Sequence, residues 1–193
     1  ALSLSVFLLL LSGIVYNVPP FRLKDRAYFD FTSEAVNNPI RLLIGWYAVA
    51  SPEHIVPISF VLGYWFLGIF LMAAKRFGEL RLMGSQAAAS LYRKSFRYYT
   101  EEKLLMAMIA SAIALSYMFG VLSLKYSVDS ILALPFLTVW ILWFFKIAYE
   151  KDTVVKDPER IFEKKPFLLF TIATVIIFIY LFYSGNHLFG WLK

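Results

Sequence analysis

From Leu104 to Leu124 the chain runs 21 residues without a charged side chain, and from Ile55 to Ala74 it does so for 20. About 20 apolar residues is the length a helix needs to cross a bilayer's hydrocarbon. A backbone placed there must satisfy its own hydrogen bonds, so these stretches are confined to helix. Four further apolar segments flank them, Ala1–Tyr16, about Pro39 to Ala50, Ser130–Ala148 and Phe167–Tyr183. The pattern predicts an all-α, polytopic helix bundle with six membrane spans. No internal repeat or low-complexity linker divides it, so residues 1–193 form one transmembrane domain. With 60% hydrophobic and 19% aromatic residues and a mean hydropathy of +0.67, the composition agrees.

Two of the six segments are short. Ala1–Tyr16 falls below spanning length and opens without a basic flank, which predicts further residues upstream. A signal peptide is the competing reading, but it calls for a basic start and a small-residue cleavage site. For the Pro39 segment, either the helix begins near Phe31 and Pro39 kinks it, or Asn38 caps it with Pro39 in its first turn. Both options put Arg41 near the buried end of that helix, where an unpartnered cation is costly.

The charges alternate by loop. Fifteen of the nineteen Lys and Arg residues lie in the first, third and fifth loops, and Arg41 and Lys146 sit near helix ends on the same side. The other side holds only Lys125 and Lys193. By the positive-inside rule the three basic loops, with Arg26, Arg81 and Lys156, are cytoplasmic, and Glu53, Lys125 and His187 face the other side. This predicts an integral protein of the plasma (inner) membrane. A net charge of +6 needs no nucleic-acid partner when the basic residues border apolar spans. The absence of cysteine excludes disulfides, thiolate metal sites and cysteine nucleophiles. His54 and His187 form no ligand pair, and no G-x-S-x-G, glycine-rich phosphate loop or H-E-x-x-H occurs.

The longest polar interval, residues 75–103, reads as a cytoplasmic cap. It opens with Lys75, Arg76 and Glu79, and residues three and four apart on a helix share a face, so both cations can sit beside the carboxylate. The plainer reading makes them interfacial anchors. Residues 85–98 read as a short helix over the site, with Leu91, Tyr92 and Phe96 turned to bilayer or bundle. The basic loops also hold nearly all the acids, and charge of both signs over a bundle suits a magnesium-bridged phosphate or diphosphate.

The run Tyr16-Asn-Val-Pro-Pro-Phe-Arg-Leu-Lys24 resembles the Y-x-x-P-P-x-R-x-K segment after the fourth helix of the UbiA superfamily of intramembrane prenyltransferases, and the resemblance continues through Asp25 to Ala50 and the loop at Lys75. It implies nine helices, of which this chain holds the fourth to ninth, and two cytoplasmic aspartate-rich motifs. The first motif is absent here. The second is replaced by Lys75-Arg76-Phe77-Gly78-Glu79-Leu80, which, with Arg93-Lys94-Ser95 and Tyr99-Thr100 after it, is similar to the branch that moves phosphoribose from phosphoribosyl diphosphate to a polyprenyl (decaprenyl) phosphate.

The resemblance implies Mg²⁺ as cofactor, a polyprenyl lipid substrate and a phosphorylated sugar or prenyl diphosphate donor. Arg22, Lys24, Arg41, Lys75 and Arg76 are its candidates for substrate phosphate, and Asp30, Glu34 and Glu79 for metal or ribose. Diphosphate would leave as the lipid phosphate attacks the anomeric carbon, with charge stabilisation as the main catalytic device. Lys75 and Arg76 are then expected in an aqueous cavity, where either could be removed without harm to the fold. Two alternatives stand beside this reading: a UbiA-type prenyltransferase with an aromatic or other small acceptor, and a catalytically silent membrane subunit.

Overall fold

In a computed structural model, residues 1–51, 53–150, 155 and 158–183 are described, 86% of the structure is helical, and no strand occurs among those residues. The chain is all-α. Its helices are α1 (Leu2–Asn17), α2 (Phe29–Ala35), α3 (Asn37–Val49), α4 (Ile58–Met83), α5 (Gln86–Tyr92), α6 (Glu101–Tyr126), α7 (Leu134–Tyr149) and α8 (Lys165–Tyr183).

Among the described residues four helices are long and apolar enough to cross a membrane: α4 and α6 with 26 residues each, α7 with its preceding 3₁₀ turn (Val128–Tyr149, 22 residues), and α8 with 19. The protein is therefore read as an integral membrane protein. The two segments that looked short from sequence remain so. At 1.5 Å per residue, α1 with 16 residues and α3 with 13 reach roughly 24 and 20 Å, less than a hydrocarbon core of about 30 Å.

The helix around Pro39 starts earlier than Asn38, at Phe29, and breaks at Val36. Proline has no N–H to offer the carbonyl four residues back, that of Ala35, and its ring crowds that group. The break falls where α4 passes. A Cβ on Gly68 would lie 2.4 Å from Asn38 Nδ2, 3.2 Å from Ala35 Cβ and 3.3 Å from the Ala35 carbonyl oxygen, so only glycine lets α4 approach this closely.

α4 and α6 form the central antiparallel pair, with α7 beside them. The buried core gathers toward one end: Phe70, Ala73, Ala74, Phe77, Phe96, Tyr99, Leu104, Met108 and Phe144 are all at most 1% exposed. Toward the other end many apolar residues are exposed, among them Ile113, Tyr117, Leu124 and Tyr180, as on lipid-facing helices. At the core-rich end Arg81 binds three elements together. It donates to the Tyr149 carbonyl at 2.8 Å, lies 4.7 Å from the Tyr149 ring centroid and 5.5 Å from that of Phe77, and pairs with Glu101 at 3.7 Å. Lys164 and Glu150 pair at 2.6 Å between α7 and α8. The third loop and the described ends of the fifth thus share one end of the bundle, and the first loop joins them where the Tyr28 N–H donates to the Tyr99 hydroxyl. Glu53 and Lys125 lie at the far ends of α4 and α6. Lys156, His187 and the C-terminal residues 184–193 lie outside the described residues.

The cap is a short helix followed by a 3₁₀ turn, Lys94–Tyr98. Gly84 ends α4 at φ 63°, the Ser85 side chain caps α5, and Gln86 Nε2 donates to the carbonyls of Phe96, Arg97 and Tyr99. Phe96 turns into the bundle, whereas Leu91 and Tyr92 point outward.

Candidate functional site

Asp30 opens α2, and its backbone N–H reaches back to the Arg26 carbonyl at 3.0 Å. Its side chain is wholly buried. Oδ1 accepts from the Tyr99 hydroxyl and Oδ2 from Ser95 Oγ at 2.9 Å, while Arg76 Nε and Arg93 approach Oδ2 at 3.3 and 3.8 Å. One turn on, Glu34 Oε2 receives Arg76 at 2.7 Å and the Tyr16 hydroxyl at 3.1 Å. Arg76 completes its contacts with Glu79 at 3.0 Å. One guanidinium therefore faces three carboxylates, and its side chain is only 1% exposed. Its Nε, though close to Asp30, is the one buried side-chain polar atom among the described residues without a well-directed hydrogen bond. Arg93 also donates to the Tyr16 hydroxyl, at 3.4 Å, so α1, α2, α4 and the cap meet in a single polar network.

Buried beside Asp30, the Tyr99 phenol is pushed well above its ordinary pKa, by burial first and by the carboxylate second. Tyr99 stays a proton donor at any ordinary pH. Its hydroxyl oxygen also accepts the Tyr28 N–H at 2.6 Å, from a residue at φ 66°.

The second feature is a basic cleft. Arg22 and Lys24 from the first loop face Arg93 and Lys94 from the cap, with Asp25, Leu91 and Tyr92 completing the walls of a cavity of about 360 Å³. Asp25 pairs with Arg22 at 2.9 Å and with Lys94 at 3.7 Å, and Lys24 Nζ bonds Asn17 at 3.2 Å. Arg22 holds φ 36°, a left-handed conformation that non-glycine residues adopt at a cost and that recurs at ligand sites. Four cations and one carboxylate leave the cleft strongly positive, as phosphate oxygens require.

Away from the charged end, α4, α6, α7 and α8 surround an apolar cavity of about 410 Å³, lined by Gly63, Leu67, Leu115, Met118 and Phe178 among others. Gly63 and Arg76 are 13 positions apart on α4, or roughly 20 Å.

The residues read from sequence divide into three sets. Asp30, Glu34, Arg76 and Glu79 come together, but around each other rather than in an aqueous cavity. Arg22 and Lys24 line the cleft. Lys75 and Arg41 join neither. Lys75 does not share Glu79 with Arg76: adjacent residues lie about 100° apart around a helix, and Glu79 closes on the guanidinium already held by Asp30 and Glu34. Lys75 is half-buried, Arg41 is exposed on α3, and neither makes an ion pair or side-chain hydrogen bond with any described residue.

Sequence reasoning left Tyr16, Arg93, Ser95 and Tyr99 out of the site. All four belong to the motif segments that carry the family resemblance, and three are polar residues of the cap, which was signal enough to include them. As placed, Asp30, Glu34 and Glu79 do not fit a magnesium ion, because each gives an oxygen to Arg76. No group of three acidic or histidine side chains suited to a metal occurs among the described residues. No protein-family description, curated protein or solved structure matches the chain.

Proposed function

We propose that this chain is part of a membrane transferase of UbiA type, which moves 5-phosphoribose from phosphoribosyl diphosphate to a polyprenyl phosphate at the cytoplasmic face. The observation that carries the reading is the cleft in which Arg22 and Lys24 face Arg93 and Lys94. These are residues of the two segments that resemble the family, and they meet across one cleft of about 360 Å³. The donor phosphates lie there. Phosphate oxygen bonds to the anomeric carbon as the bond from that carbon to diphosphate breaks, and the cations stabilise the departing charge. Magnesium would be held by the donor diphosphate rather than by Asp30, Glu34 and Glu79, and would supply further charge stabilisation there. The apolar cavity among α4, α6, α7 and α8 supports a long hydrocarbon substrate. In this reading α1 and the α2–α3 pair complete six spans, with the basic loops in the cytoplasm of the plasma (inner) membrane.

One observation favours the silent membrane subunit instead: Asp30, Glu34 and Glu79 are committed to Arg76, as in a structural ion cluster. The deciding experiment supplies the full-length protein with magnesium, phosphoribosyl diphosphate and a polyprenyl phosphate. Formation of the lipid phosphoribose supports the proposal. Transfer from a prenyl diphosphate to an aromatic acceptor would replace it with the ordinary prenyltransferase, and no transfer of either kind would favour the silent subunit.

A further inference from the structure

Asp30 offers its oxygens to the cap. Three of its four side-chain partners, Arg93, Ser95 and Tyr99, come from seven consecutive cap residues, and the fourth, Arg76, fixes the carboxylate from α4. Tyr99 is tied from the other side by the Tyr28 N–H, so its hydroxyl joins the loop before α2 to the carboxylate. Among the described residues Arg93 alone both approaches Asp30 and lines the basic cleft.

This clip opposes an electrostatic cost. The two walls of the cleft carry four cations against the single carboxylate of Asp25, which already spans them through Arg22 and Lys94. Without a ligand, like charges across the gap push the cap away from the first loop. A bound diphosphate reverses the sign of that force.

We propose that Asp30 and Tyr99 are positioning residues: they hold the cap so that Arg93 and Lys94 face Arg22 and Lys24, and a diphosphate bound between the two walls tightens the closure. The inference rests on the reading of the cleft as a phosphate site. It takes Asp30 out of contact with metal or ribose and gives it a role through the cap.

The test uses the full-length protein in lipid nanodiscs with inorganic pyrophosphate as the probe, measuring affinity by calorimetry, cap exposure by trypsin cleavage after Arg93, Lys94 and Arg97, and thermal stability. Tyr99→Phe removes one hydroxyl and keeps the ring packed on Phe31 and Phe96. Ser95→Ala is the second variant. Each is expected to bind pyrophosphate roughly tenfold more weakly, the effect of about one hydrogen bond to a charged group. Trypsin should cut the cap faster while the rest of the bundle resists as before, and pyrophosphate should slow the cleavage. Lys24→Ala, which removes both a direct contact and one of the four repelling cations, should weaken binding without speeding cap cleavage when ligand is absent.

Wild-type affinity and cap resistance in both Tyr99→Phe and Ser95→Ala would overturn the proposal. So would an affinity loss accompanied by faster cleavage throughout the bundle, which marks a purely structural role. A wild-type chain that binds no pyrophosphate refutes the phosphate reading of the cleft; unchanged cap cleavage in Tyr99→Phe would then refute the clip as well.

Discussion

Arg76 and Lys75 are neighbours in sequence with opposite expected effects. Truncating Arg76 leaves Asp30, Glu34 and Glu79 with one remaining ion pair among the described residues, Arg93 to Asp30, and removing one partner from a buried ion cluster costs about 3–5 kcal/mol. Arg76→Ala should therefore lower thermal stability sharply or prevent folding. Lys75→Ala should change it by less than about 0.5 kcal/mol. Arg76→Lys should not rescue, because an ammonium lacks the planar fork that reaches three carboxylates. Tyr99 adds an alkaline limit. Its folded pKa lies above that of the unfolded chain, so its contribution is complete below the ordinary phenol value of about 10 and declines as pH rises above it. Denaturation followed between pH 9 and 11 should show a decline that Tyr99→Phe flattens. At this scale the sequence was half legible. A charged site was readable from Lys75, Arg76 and Glu79, yet helical spacing cannot say which of two adjacent cations a carboxylate joins. That was decided by Asp30 and Glu34, more than 40 positions away.

The elements were legible where their length was set by hydrocarbon. The uncharged runs of the third and fourth segments became α4 and α6, which extend beyond them at the charged end, to Met83 and from Glu101. The break at Val36 was harder to read, because Pro39 admits two helix starts and tertiary packing chooses between them. Gly68 shows what that packing requires. Gly68→Ala would push against the Ala35 backbone and side chain as well as the movable Asn38 amide, so a loss of about 1–3 kcal/mol is expected in thermal denaturation. Gly63→Ala is the control: its Cβ would rest 3.6 Å from Met118 Cβ, in ordinary contact. The cap's outline, a short helix over the charged end, was readable from its pattern, but not which of Leu91, Tyr92 and Phe96 turns into the bundle. Its attachment through Gln86, Ser95 and Tyr99 was not, since polar residues in a surface segment carry no sign of which carbonyl or carboxylate they will meet.

At the scale of the whole molecule, charge separates the two ends of the bundle. The alternation of basic and neutral loops predicts that single cysteines at Arg26 and Arg81 label from the cytoplasmic side, and cysteines at Glu53 and Lys125 from the other. Lys125 labelling together with Arg81 would break the six-span arrangement. The same separation underlies the functional proposal, with phosphates at the charged end and hydrocarbon in the cavity below. The most direct measurement is the affinity of phosphoribosyl diphosphate for the full-length protein with magnesium present, in the wild type, Lys24→Ala, Lys94→Ala and, from the opposite end, Lys125→Ala. Each cleft variant should lose a charge-assisted contact of about 1.5–3 kcal/mol, roughly one to two powers of ten in affinity, with Lys125→Ala unchanged. Equal affinity in all four proteins, or binding of a prenyl diphosphate in place of the phosphoribosyl donor, would contradict it.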